Sequence, residues 1–276
     1  MTARGDLDPG TLGGLLGGTR YRVEGSGPWL VLVHGVGMDH AMWAPVVAEL
    51  AASHRVLTYD MLGHGQSAKP PGPYGLRDFV EQFLRLVDAL GVPRFDLVGF
   101  SMGALVAQGV ALAAPKRVGG LVLLNGVFDR SPEERAAVVA RVKDVRNGNF
   151  AQSVETALER WFTPAFHNSH PEVVQQVRAH MSGNDLDAYA AAYHVFATAD
   201  AELAPRVDQI AVPTLVATGS DDRRSTAAMA RALADRLPRG RLHLIEGQRH
   251  LTPLEAPKLV AALIGDFLES EGSTAQ

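Results

Sequence analysis

The chain has no cysteine among its 276 residues. That excludes disulfides, thiolate zinc sites and a cysteine nucleophile. Positive charge is not in excess either: 26 Lys and Arg stand against 30 Asp and Glu, a formal charge of −4. Binding to a phosphate backbone or an anionic membrane would need a basic field or tract, so neither nucleic acid nor membrane is expected as a partner. No stretch reaches the roughly 20 apolar residues that span a bilayer. The N-terminal MTARGDLDPGTLGGLLGG carries acids, a proline and glycines where a secretory leader has an unbroken apolar core, so the expected location is cytoplasmic. What remains, 46% hydrophobic and 20% charged, is the composition of a globular protein long enough for a full core.

Short apolar runs alternate with segments of helical period. TRYRVEG alternates like a strand, WLVLVHG is a continuous apolar run, AMWAPVVAELAA reads as a helix and RVLTYD as a strand. An amphipathic helix LRDFVEQFLRLVDALG, a strand FDLVGF, a helix MGALVAQGVALAA and a strand VGGLVLLNG follow. Such alternation predicts a mostly parallel sheet with helices on both faces. From about Phe128 to Pro205 the pattern is helical only, and strands resume at VPTLVATG and RLHLIEG, with helices expected at Ser225–Leu237 and Leu254–Glu269. The expected organisation is an α/β core over 19–125 and 206–270 and a helical cap over 126–205. Flexible tails are expected at 1–18 and 271–276.

The chemistry centres on Gly99-Phe100-Ser101-Met102-Gly103, a G-x-S-x-G placed between a strand and a helix. This spacing fits a sharp turn that exposes a serine hydroxyl beside a helix start. A helix N-cap serine with packing glycines is the plainer alternative. A serine hydroxyl needs a base, and the base an orienting acid. His250 follows the last strand in EGQRHLTPLEAP, whereas His243 lies within that strand and is read as structural. The acid is expected after the preceding strand, where VATGSDDRRS offers Asp221 and Asp222; the G-x-x-D spacing from Gly219 favours Asp222. Two amides should face the developing oxyanion: Met102, after the serine, and Val36, in the His34-Gly35-Val36-Gly37 loop. His34 reads as a loop anchor. His167, His170, His180 and His194 lack metal-ligand spacing, and no metal or other cofactor is expected.

Together these residues resemble the α/β-hydrolase superfamily from about Tyr21 to Leu268. HG-x-G, the DMLGHGQS loop at 60–67, the GFSMG turn, the acid and the late histidine occur in that order. HGVGMDHAMW, PPGPY and ERWFTPAFHNSHPEVVQQVRAHM are most similar to 3-oxoadipate enol-lactonases. The resemblance implies cofactor-free hydrolysis of a small carboxylate-bearing lactone or ester. It carries over Ser101, Asp222 and His250, with the amides of Val36 and Met102, and suggests Trp161 as a cap residue facing the pocket. Leu62 departs from the arginine usual in such lactonases, and Arg223, Arg224 and Arg249 stand where smaller residues are usual. Arg223 and Arg249 are therefore candidate ligands for a substrate carboxylate if they point inward, the plainer alternative being solvated surface arginines. Other small unsaturated acids, among them vinylogous amides and C–C ring-cleavage products, remain alternative substrates, as do general esters. A receptor that keeps the fold without turnover is the non-enzyme alternative. The sequence sets no oligomeric state.

Overall fold

The computed structural model describes residues 12–144 and 148–272. Among them eight strands form one sheet: β1 (Leu12–Leu16), β2 (Thr19–Glu24), β3 (Trp29–Val33), β4 (Arg55–Tyr59), β5 (Phe95–Phe100), β6 (Val118–Leu124), β7 (Thr214–Gly219) and β8 (Gly240–Ile245). Their spatial order is β1-β2-β4-β3-β5-β6-β7-β8. β1 and β2 pair antiparallel, as do β2 and β4, and every other pair is parallel. β3 and β5 are buried along nearly their whole lengths, which explains why their sequences are continuous apolar runs.

The helices that cover the sheet follow from sequence period. In α2 (Leu76–Ala89) the buried residues Leu76, Phe79, Val80, Phe83, Leu86 and Val87 recur at helical spacing. α3 (Met102–Ala113) is buried on all sides, because the sheet lies beneath it and the cap helix α8 (Leu186–Leu203) packs above. α1 (Ala44–Leu50), α9 (Ala227–Arg236), α10 (Thr252–Glu255) and α11 (Pro257–Ser270) complete the core. A single helix was expected from Leu254 to Glu269. Two form instead, because Pro257 disfavours a helical residue before it, and Ala256 sits at φ −136°, ψ 54°.

Between β6 and β7 lie α4 (Pro132–Asp144), α5 (Phe150–Trp161), α6 (Pro164–Ser169), α7 (Pro171–Ser182) and α8. α4 packs on α8 and α5 on α7. This is the segment read from sequence as a helical cap.

The expected N-terminal tail needs correction. Residues 1–11 lie outside the described residues, but Leu12–Leu16 form an edge strand in register with β2, from Leu12↔Val23 to Leu16↔Thr19. Gly17 and Gly18, at φ 55° and 79°, make the two-residue turn that suits a twisted hairpin. Pairing and turn chemistry override the weak strand propensity of LGGLL. At the other end, Glu271 and Gly272 continue α11 as a turn, and the remaining four residues of the expected tail lie outside the described residues.

Candidate active site

The strand order reverses at β3, which has β4 on one side and β5 on the other. In an open parallel sheet, ligands bind beyond the strand C-termini at such a switch point. The loops leaving β3, β5, β6, β7 and β8 at this edge carry Val36, Ser101, Asn125, Asp222 and His250 respectively.

Ser101 adopts φ 54°, ψ −113° between β5 and α3, a conformation that costs a side-chain-bearing residue about 1–3 kcal/mol. The flanking glycines make the turn possible. A Cβ on Gly99 would lie 2.2 Å from the Gly103 carbonyl oxygen, and one on Gly103 would lie 2.3 Å from that of Val33. Neither contact is tolerable, so both positions exclude a side chain. The Ser101 amide is held by the Leu124 carbonyl at 2.9 Å.

Ser101, Asp222 and His250 meet in a line. His250 Nε2 lies 3.2 Å from Ser101 Oγ, and His250 Nδ1 lies 2.6 Å from Asp222 Oδ2. The consistent proton arrangement has Nδ1–H donating to the carboxylate and Nε2 accepting from the serine hydroxyl. All three are buried, at 3%, 5% and 6% exposure. Burial raises the Asp222 pKa, but the facing His250, the Arg224 backbone amide and Asn125 outweigh it, and the carboxyl is held below its ordinary value. Asp222 Oδ1 accepts from the amides of Arg224 at 2.9 Å and Ser225 at 3.0 Å. Asp221 is exposed, and its side chain meets Ser220 instead.

Asn125 was not anticipated from sequence. Its Nδ2 donates to Asp222 Oδ2 at 3.0 Å and to the Arg249 carbonyl at 3.2 Å, while its Oδ1 accepts from Thr252 Oγ1 at 2.8 Å. The available signal was a polar residue directly after the apolar run of β6, at the same sheet edge as Ser101.

The backbone amides of Met102 and Val36 lie beside the serine turn. Met102 opens α3, so its N–H is one of the helix-start donors without an intrahelical acceptor. The Val36 amide donates to no backbone carbonyl among the described residues, and the Val36 loop lies against the serine turn: a Cβ on Gly35 would come within 3.2 Å of Ser101 Cβ. His34 anchors this loop, as read from sequence. Its Nδ1–H donates to the Gly35 carbonyl at 2.8 Å, and its Nε2 accepts from the Met61 amide at 2.8 Å. Burial lowers its pKa to about 4, so the ring is neutral at pH 7. Across the cleft, the cap residue Asn184 holds the Gly37 carbonyl at 2.9 Å.

A cavity of about 510 Å³ opens beside Ser101 and His250, a size suited to a small molecule. Trp161 lines it, and its ring stacks on that of His250 with centroids 6.0 Å apart. Its carbonyl also accepts from the amides of His250 at 3.0 Å and Leu251 at 3.1 Å. Among the cap aromatics, Trp161, Tyr189, Tyr193 and Phe196 line the cavity. Phe150, Phe162 and Phe166 pack in the cap.

The two arginine expectations part. Arg223 lies at the cavity wall, exposed, beside Asp222. Arg249 does not line the cavity. Its Nη1 donates to the carbonyls of Glu159 at 2.7 Å and Phe162 at 2.9 Å, where the carbonyls at the end of α5 attract a cation. Arg249 straps the His250 loop to the cap in this structure, facing α5 and not the cavity. Three cavity arginines went unforeseen: Arg130, Arg141 and Arg160.

With fold and geometry in view, comparison with known proteins places the chain. A family model described as alpha/beta hydrolase fold matches residues 28–257, and the chain belongs to that family. It is 34% identical to the (E)-2-((N-methylformamido)methylene)succinate hydrolase of Acinetobacter baylyi, over 91% of this chain and 94% of that protein. With 3-oxoadipate enol-lactonase 2 of the same organism it shares 29% identity over 84% of this chain and 85% of that one. The crystal structure of the enol-lactonase from Burkholderia xenovorans LB400 matches with a TM-score of 0.84 and 31% identity, covering 94% of this chain and 100% of that chain. The protein is an α/β-hydrolase enzyme.

Proposed function

We propose that the protein is a cofactor-independent serine hydrolase of small carboxylate-bearing lactones or esters, of which 3-oxoadipate enol-lactone is the type. The observation that carries this reading is the Ser101–His250–Asp222 line, with separations of 3.2 and 2.6 Å. His250 Nε2 takes the Ser101 proton as Oγ attacks the carbonyl carbon. The amides of Val36 and Met102 donate to the oxygen that becomes negative. His250, now doubly protonated, gives its proton to the departing oxygen, and Asp222 steadies the imidazolium. Water then attacks the acyl-Ser101 ester with His250 again as base, and the acid leaves as Ser101 regains its proton. An enol leaving group is stabilised as an enolate, so the chemistry is undemanding and the cavity chiefly selects the acid.

A second reading has a specific observation behind it. Leu62 replaces the arginine usual in enol-lactonases, while arginines line the cap side of the cavity. The Acinetobacter relative at 34% identity is named for hydrolysis of a methylene succinate amide. The same residues would cleave such a vinylogous amide, with His250 protonating the departing nitrogen. The deciding experiment compares kcat/KM for the enol-lactone and for that amide. A Ser101-dependent value above about 10⁴ M⁻¹s⁻¹ for the lactone supports the first reading. A negligible lactone rate with rapid amide cleavage supports the second.

A further inference from the structure

The cavity wall carries more positive charge than the residues around it balance. Arg130 is paired: its Nη2 lies 2.8 Å from Asp200 Oδ1. Asp222 is committed to His250, and Glu134 accepts from the Ser131 amide at the start of α4. Arg141 of α4, Arg160 of α5 and the side chains of Arg223 and Arg224 after β7 make no hydrogen bond or ion pair among the described residues, yet all four line the same cavity as Ser101. Arg141 and Arg160 are half-buried, and the Nε of each is buried without an acceptor. Burial, together with the neighbouring Arg224 and Arg141, lowers the Arg160 pKa. Converging like charges with buried, unmet donors are unfavourable until an anion joins them.

We propose that these arginines form an anion subsite for a substrate bearing two carboxylates. Arg141 and Arg160 grip one carboxylate from the cap, and Arg223 and Arg224 grip the other from the core. The guanidinium fork matches a carboxylate with two parallel hydrogen bonds. Because the cations come from two sides of the cavity, a succinate-like unit fits better than a single compact dianion such as phosphate. The proposal favours the second substrate reading, since 3-oxoadipate enol-lactone keeps only one free carboxylate, and it rests on the hydrolase reading only for placing the scissile bond at Ser101.

The test is calorimetric binding to the Ser101→Ala protein, which separates recognition from turnover. The probes are methylsuccinate, butyrate and inorganic phosphate. Methylsuccinate is expected to bind at least about ten-fold more tightly than either of the others, with affinity falling as salt rises. Adding Arg160→Gln or Arg224→Gln should each weaken it about ten- to hundred-fold, the range for a charged hydrogen-bonded contact. Arg224 is exposed on the rim, so its replacement leaves packing intact even if the Arg160 variant folds poorly. Equal affinity for butyrate or phosphate, or unchanged affinity in Arg224→Gln, overturns the subsite. Methylsuccinate binding as expected, with no turnover of either the enol-lactone or the amide by the wild-type protein, would instead overturn both proposed substrates and leave the subsite standing.

Discussion

Ser101 sits in a turn that only its neighbours' lack of side chains permits. Gly99→Ala would place a methyl 2.2 Å from the Gly103 carbonyl oxygen and 2.7 Å from the Ala104 Cα, all backbone of the α3 start that no side-chain rotation can move aside. We expect a loss of at least about 3 kcal/mol in stability, or no soluble protein, as overpacking at a rigid site predicts. Urea unfolding of the purified variant measures it. Asn125 acts one step further from the reacting atoms. Asn125→Ala removes a donor from the buried Asp222 carboxylate and frees Thr252 and the Arg249 carbonyl. We expect kcat to fall about ten- to hundred-fold with KM little changed, the magnitude of a hydrogen bond to a charged group. Steady-state kinetics on the lactone separates the two constants. Ser101 was legible because its glycines obey a spacing, and Asp222 and His250 because each follows a strand. Asn125 has only its place after β6 to mark it.

At the scale of elements, the end of α5 and the His250 loop are bolted together. Trp161 accepts from two amides of that loop, Arg249 reaches back to Glu159 and Phe162, and Glu255 of α10 accepts from Thr163. Arg249→Ala should therefore lower stability by about 1–3 kcal/mol and reduce kcat through a displaced His250, leaving the affinity of the Ser101→Ala background for methylsuccinate within two-fold, on the order of error for a residue off the cavity. Chemical denaturation and calorimetry check the two halves. The cap was the least legible element. Its helices are visible as periods, but in α8 small alanines fill most of the face positions, so period alone does not say which side meets the cavity. Arg160, in α5, passed unnoticed because a charged residue next to Trp161 reads from sequence as solvated, with nothing to show that it reaches the cavity. Arg249 was misjudged because sequence places it next to His250 without showing that its side chain turns toward α5.

The whole molecule carries a pH dependence in two buried histidines beside the site. Burial lowers His34 to about 4, and burial with the charge of His34 lowers His64 to about 3. Folding thus favours the neutral rings. The stability they permit is full above the unfolded value near 6.5 and is lost as pH falls toward the folded values, because the unfolded chain takes up protons first. Between pH 7 and pH 5 the unfolding free energy should therefore drop by about 2–4 kcal/mol, less than two independent groups would give because the two rings influence each other. Urea titrations at the two pH values test this, and an unchanged midpoint would contradict it. The α/β architecture itself was readable from alternating strand and helix patterns. β1 was not, since its leucines and glycines declare neither strand nor tail until β2 pairs with them.

The account stands or falls on Ser101 as the nucleophile. The most direct measurement treats the wild-type protein with diisopropyl fluorophosphate and follows intact mass, peptide mass and hydrolysis of the preferred substrate together. We predict one adduct per chain, on Ser101, with activity lost in proportion to labelling, and neither adduct nor turnover in Ser101→Ala. Full activity in a protein labelled at Ser101, or turnover that survives Ser101→Ala, would contradict it.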